Sequence, residues 1–240
     1  MTRPPSLSAG QALRRCAPWG RGVLVALLLA TLPVAASAQP VYRGKSTPAR
    51  GTVEIGAGGV WIGGYDAGSA TATLTRPGGA TPVTLFAVNS RMRSAPGIDA
   101  HLGIFLSSRL SLEGAFQYSR PILRARVTSD FESAADTDVD GVVVTYLARG
   151  ALLYHFGDGR FVPFVSGGAG SLRQIDDASS NLVTGTEIHA GGGLKYWVGS
   201  GGRRLGLRFD GGLSVRSKSV AFEQKRRIVP AFGAGIAVQF

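Results

Sequence analysis

Cysteine is almost absent from this chain. The one cysteine in 240 residues is Cys16, and it precedes a segment that reads as a cleaved leader. A processed chain would have no thiol, which excludes disulfides, thiol nucleophiles and thiolate-bound metals. Histidine is scarce too, with only His101, His155 and His189. No Gly-x-Ser-x-Gly, no His-Glu-x-x-His and no paired-His metal spacing occurs. A hydrolytic triad would have to be assembled from scattered residues. Long apolar runs are also missing. The longest, Gly22 to Leu32, has 11 residues, whereas a membrane-spanning helix needs ~20.

That short run has a specific setting. Arg14, Arg15 and Arg21 precede it, and Ala36-Ser37-Ala38 follows it before Gln39. A basic start, a short apolar run and a small-x-small site make a secretory signal peptide over residues 1–38. Cys16 lies before the run, so it cannot be the acylated cysteine of a lipoprotein. The leader carries four of the 26 basic residues and none of the 15 acidic ones, leaving 22 against 15 and a net charge of +7. Export makes nucleic acid a poor partner. An anionic lipid surface fits the basic balance better.

Residues 39–50 read as a short polar lead. Beyond them the chain alternates apolar and polar residues in eight segments separated by turn signals. They run Thr52 to Tyr65, Gly97 to Leu106, Arg109 to Ser119, Gly141 to Phe156, Phe161 to Leu172, Glu187 to Val198, Leu205 to Arg216 and Arg227 to Phe240. The fifth alternates poorly, and its Gly167-Gly168-Ala169-Gly170 run suggests a bend or close packing. Successive side chains of a strand point to opposite faces, so each segment has a greasy face and a small or polar face. The lengths suit tilted strands that cross a bilayer. If the chain spans a membrane, it must do so as a closed barrel, because backbone groups cannot be left unpaired in lipid. Tyr65, Tyr118, Phe156, Phe161, Tyr196 and Phe240 fall near segment ends, where interfacial aromatic girdles belong.

Connection lengths alternate in phase. Residues 66–96, 120–140, 173–186 and 217–226 are long connections. Those at 107–108, 157–160 and 199–204 are short. Spanning barrels have long outer loops and short inner turns, so this phase puts both termini on the inner side. The first long connection carries its own hairpin, Ala70 to Thr75 and Thr81 to Val88 around Arg76-Pro77-Gly78-Gly79. A ten-stranded barrel that uses this pair as spanning strands is the alternative.

Putting the apolar faces toward lipid leaves Glu54, Asp99, His101, Glu113, Arg149, His189, Lys195, Arg208 and Asp210 inside. Eight strands enclose just enough space for side chains, and buried charges must pair. A salt-bridged plug is one reading, and a narrow polar pathway for water, ions or small solutes is the other. His155 adjoins an inner turn and is expected to be solvated. A soluble lipocalin-like barrel would reverse the pattern, with apolar residues inside.

Two loop features remain. Asp136-Thr-Asp138-Val-Asp140-Gly141 matches the opening of a calcium loop, but position twelve is Leu147 rather than an acid. Asp130 and Glu132 precede it. Arg91, Arg93, Arg120, Arg124, Arg126, Arg216, Lys218, Lys225, Arg226 and Arg227 should lie near the outer leaflet, where arginine suits the phosphates of lipopolysaccharide.

The last strand, Phe232 to Phe240, is apolar at every second residue and ends on an aromatic. With the leader, the alternation and the loop phase, it resembles small outer-membrane β-barrel proteins of the OmpA/OmpX-like type over residues 51–240. The resemblance implies an all-β, eight-stranded antiparallel transmembrane barrel in the bacterial outer membrane. It implies recognition of Phe240 by the barrel-assembly machinery and contact with outer-membrane lipids and lipopolysaccharide. It also implies a monomeric, non-enzymatic role in envelope integrity or in surface interaction and adhesion. A narrow porin-like channel and a lipid-modifying enzyme are the alternatives. No catalytic, cofactor-binding or metal residue is assigned.

Overall fold

The computed structural model describes residues 47–75, 82–128, 135–177, 181–198, 204–218 and 225–240. The leader, most of the polar lead, the hairpin tip at residues 76–79, Asp130, Glu132 and the connection at 199–203 lie outside the described residues. Eleven strands form: β1 (Val53–Ile62), β2 (Tyr65–Leu74), β3 (Val83–Met92), β4 (Ala95–Phe105), β5 (Leu110–Ser119), β6 (Ile122–Thr128), β7 (Thr137–His155), β8 (Phe161–Asp176), β9 (Leu182–Val198), β10 (Arg204–Ser217) and β11 (Arg227–Gln239).

Eight of them close a ring. β1 pairs with β4, then come β5, β7, β8, β9, β10 and β11, and β11 returns to β1. Every pairing is antiparallel, so the barrel has no open edge. The C-terminal strand closes it: Val238 is opposite Ile55, and Phe232 is opposite Trp61. The other three strands do not enter the ring. β2 pairs with β3, β3 with β6, and β6 with the first residues of β7. They build a second antiparallel sheet that continues the barrel wall at the end away from the termini. The ten-stranded alternative is therefore excluded, because β2 pairs with β3 and β3 with β6, and neither pairs with a strand of the ring.

The long connections are more structured than their sequences suggest. The hairpin is present but its arms are longer than expected, over residues 65–74 and 83–92. The connection 120–140 holds β6 and the start of β7. The connection 173–186 shrinks, because β8 runs to Asp176 and β9 starts at Leu182. With 19, 16 and 17 residues, β7, β8 and β9 exceed the ~9–11 residues that a spanning strand needs. Their surplus projects beyond the apolar belt.

That belt is on the outside. Ile98, Leu102, Phe116, Leu152, Ile188, Leu207, Phe209, Phe232 and Ile236 are all exposed. Aromatic pairs ring its two ends. Tyr154–Phe156 and Phe161–Tyr196 sit at the end with the termini, and Trp61–Phe232 and Tyr118–Tyr146 at the other. Tyr65 does not join them. It is 7% exposed and points inward, because β1 ends at Ile62 and the Gly63-Gly64 link resets the alternation before β2. β8 also alternates throughout, contrary to the sequence reading. Its inward Val162 and Phe164 are apolar and its outward Gly167 and Ala169 are small, which hides the period.

The interior is stratified. At the outer end Val60, Ile62, Tyr65, Met92, Val143 and Val229 form an apolar plug, flanked by Leu123 and Ala231. Charged groups fill the middle. Ala151, Leu153 and Phe164 form one apolar cluster nearer the termini, and Val162, Trp197 and Ala237 form another. Glycine makes room at two close approaches. A Cβ on Gly56 would collide with the His101 imidazole, and one on Gly168 with the backbone of Gly150.

Candidate functional site

The lumen holds two linked ion pairs. Lys195 Nζ donates to Glu54 Oε1 at 2.6 Å and to Oε2 at 2.8 Å. Arg208 donates from Nη1 and Nη2 to the two oxygens of Glu113 at 2.6 and 3.0 Å. The pairs touch, since Arg208 Nη1 is 3.8 Å from Glu54 Oε1. Phe164 lies under both cations, 5.2 Å from Lys195 Nζ and 5.0 Å from the Arg208 guanidinium carbon. All four charged side chains are almost fully buried. Bidentate pairing and aromatic faces are the compensation such burial requires.

Further pairs extend the network outward. Arg149 donates to Asp99 at 3.3 Å, and Arg208 Nε is 3.3 Å from Asp210. His101 lies between Glu54, at 3.9 Å, and Asp99, at 3.7 Å. All nine residues assigned inward by alternation do line the lumen. His189 and Arg149 border its largest cavity, of about 50 Å³, and two smaller ones measure about 20 and 10 Å³. These volumes suit a few waters at most.

Three inward residues depart from the sequence reading. His155 is not solvated: it is 1% exposed, stacks on Phe105 and accepts from Lys195 Nζ at 3.2 Å. Its Nδ1 meets the Arg109 carbonyl. Alternation against Tyr154 and Phe156 already placed it inward, and its nearness to a turn misled. Arg216 is not a surface cation either, because its Nε donates to Glu187 at 2.7 Å in the interior. Arg227 also turns in, donating to the Asp66 carbonyl and lying over the Tyr65 ring. Lys225 and Arg226 remain exposed.

The lumen offers one donor set of metal type. One atom each from Glu54, His101 and Glu113 lie within 4.8 Å of one another. Lys195 and Arg208 already neutralise both carboxylates, so a divalent ion there would meet two cations at contact distance. Among the described residues, no serine hydroxyl hydrogen-bonds any of the three histidines.

Most of the described acidic run is strand rather than loop. Thr137–Gly141 belongs to extended β7, and its carboxylates alternate along one face of the outer sheet. Asp140 accepts two hydrogen bonds from Arg124 at 2.8 and 2.9 Å, and Asp136 accepts one from Arg126 at 3.0 Å. Asp138 is opposite Arg126 in the register. The Asp-x-Asp-x-Asp spacing is a strand period matched to the arginines of β6. The Arg124 hydrogen bond holds the Asp140 carboxyl below the ordinary carboxylate range.

On the outside of the barrel, where it meets the outer sheet, Arg91, Arg93 and Arg124 line an open cleft of about 610 Å³. Trp61 and Pro230 from the barrel, with Gly63, Gly64 and Ser94 from the links, complete it.

No protein-family model matches the sequence, and no curated protein matches it. Solved structures do. The outer membrane protein OprG of Pseudomonas aeruginosa superposes with a TM-score of 0.52 at 9% identity, over 82% of this chain and 99% of that one. The N-terminal β-barrel domain of OprF from the same organism gives 0.39 at 18% identity, over 80% and 100%. Ail of Yersinia pestis gives 0.44 at 12%, over 80% and 99%. The likeness that counts is to OprG, and at that identity it concerns the fold. The chain has the closed eight-stranded antiparallel barrel fold of the small outer-membrane proteins.

Proposed function

We propose that this protein is a non-enzymatic β-barrel of the bacterial outer membrane that supports envelope integrity and presents its outer sheet for surface interaction. One observation carries the reading: the barrel is inside out relative to a soluble one, with leucine, isoleucine and phenylalanine outside and ion pairs within. Only a lipid surrounding makes that arrangement stable. A leader over residues 1–38 would deliver the chain across the inner membrane. Phe240 would be the mark read by the assembly machinery. A monomer is expected, because the ring closes within one chain.

The interior favours a plug over a pathway. An apolar cluster fills the outer mouth, and bidentate pairs cross the middle. The folded protein in planar bilayers should therefore be silent. Stepwise conductance that persists in wild-type protein would instead support a narrow channel. Deletion should sensitise cells to detergents or reduce surface binding without changing lipid A masses. A changed lipid A mass would move the reading to a lipid-modifying enzyme.

A further inference from the structure

The open cleft beside the outer rim is unusual in its charge. Arg91 is the last residue but one of β3, Arg93 lies in the link to β4, and Arg124 comes from β6. No acidic residue is among those lining the cleft. Among the described residues, neither Arg91 nor Arg93 makes an ion pair or a side-chain hydrogen bond, and both are exposed. Two carboxylates stand beside them in the sheet. Asp66, opposite Arg91 in the register, accepts from its own Gly68 amide at 2.8 Å. Asp140 is held bidentately by Arg124. Three guanidiniums thus stand against two carboxylates, Asp66 and Asp140, neither of which lines the cleft, and the remaining positive charge favours a bound anion.

The cleft's height limits the anion's source. Trp61 forms one wall and lies 6.1 Å, ring to ring, from Phe232 on the outer aromatic girdle. Tryptophan in such a girdle sits at the level of lipid headgroups. One side of the cleft is therefore cationic and the other apolar, and it opens onto the belt that would meet acyl chains. Guanidinium groups take phosphate oxygens in pairs.

We infer that Arg91, Arg93 and Arg124 form a binding site for a phosphate of a phosphorylated glycolipid in the outer leaflet. The inference rests on the outer-membrane reading above and adds a ligand class and a site to it. It makes the barrel rim a lipid anchor on one side only, next to β1 and β11, whereas a general basic surface would hold lipid all round.

The test uses full-length processed protein, folded in detergent, titrated with bisphosphorylated lipid A, with its dephosphorylated form and with inorganic phosphate. The R91Q/R93Q variant should bind bisphosphorylated lipid A at least ten-fold more weakly than wild type. Dephosphorylated lipid A should bind both proteins alike and poorly. R126Q, which loses only the pair with Asp136, should match wild type. Equal affinity of R91Q/R93Q and wild type overturns the site. Displacement of the lipid by millimolar inorganic phosphate overturns the lipid source in favour of a free-anion site. A heat-dependent gel shift, retained by the variants, shows that the barrel itself is intact, so loss of this site and loss of the barrel reading are separate results.

Discussion

At the scale of single residues, the lumenal charges divide by how many partners they have. Glu187 has one strong partner, Arg216 at 2.7 Å. Glu54 has two cations within reach, Lys195 at 2.6 Å and Arg208 at 3.8 Å. Removing one member of a buried pair strands a charge and costs ~3–5 kcal/mol. Arg216→Leu should therefore destabilise the barrel by ~3–5 kcal/mol in urea unfolding from lipid vesicles. Lys195→Met should cost less, because Arg208 can shift toward Glu54. The double variant Lys195→Met with Glu54→Gln should recover part of the loss. Equal costs for the two single variants would mean that the Arg208 contact carries no weight. The sequence shows which residues turn inward, through alternation alone, but not which acid meets which base. Lys195 and Glu54 are 141 residues apart, and only the closing of the ring brings them together. Glu187 was visible on the inward face by the same alternation. Arg216, its partner, was read instead as part of a basic loop.

At the scale of elements, the barrel strands were legible because each is long, dyad-patterned and bounded by turn residues. β6 was missed. Its polar positions are Arg124, Arg126 and Thr128, its apolar ones are Ile122, Leu123, Ala125 and Val127, and Pro121 stands just before it. Seven residues after a proline and rich in arginine look like an outer loop. Its strand partner was read as part of a loop with an incomplete calcium motif, because three aspartates two residues apart fit both descriptions. The register pairs these aspartates with the arginines of β6. Calcium at millimolar concentration, or its removal by chelator, should leave amide exchange in β6 and β7 unchanged; protection that rises with calcium would show a metal site there. Acid should act on the same rungs. The Asp140 carboxyl titrates below its ordinary value because Arg124 holds it. Its contribution is thus full above the ordinary carboxylate pKa and is lost as the pH falls through the lower, folded value. Exchange protection in β6 should accordingly persist through mildly acidic pH and fail only in stronger acid. Loss of protection near neutrality would show that the rungs do not hold the sheet.

At the scale of the whole molecule, closure, polarity and layering form one physical argument. The ring satisfies the backbone of the spanning strands, the exterior is apolar, and the ionic interior is sealed at its outer mouth by Val60, Ile62, Tyr65, Met92, Val143 and Val229. A processed chain without cysteine suits nitroxide scanning. Labels at Phe209 and Leu207 should be quenched by oxygen dissolved in lipid. Labels at Asp210 and Ser214, on the inward face of β10, should not. A uniform response along β10 would deny the inside-out assignment.

The most direct measurement is gel mobility of the protein taken from outer-membrane fractions, run in mild SDS with and without boiling. A closed, hydrogen-bonded barrel resists SDS until it is heated, so the account predicts a band that shifts on boiling. A band that does not shift, from protein released into the soluble periplasm, would contradict it.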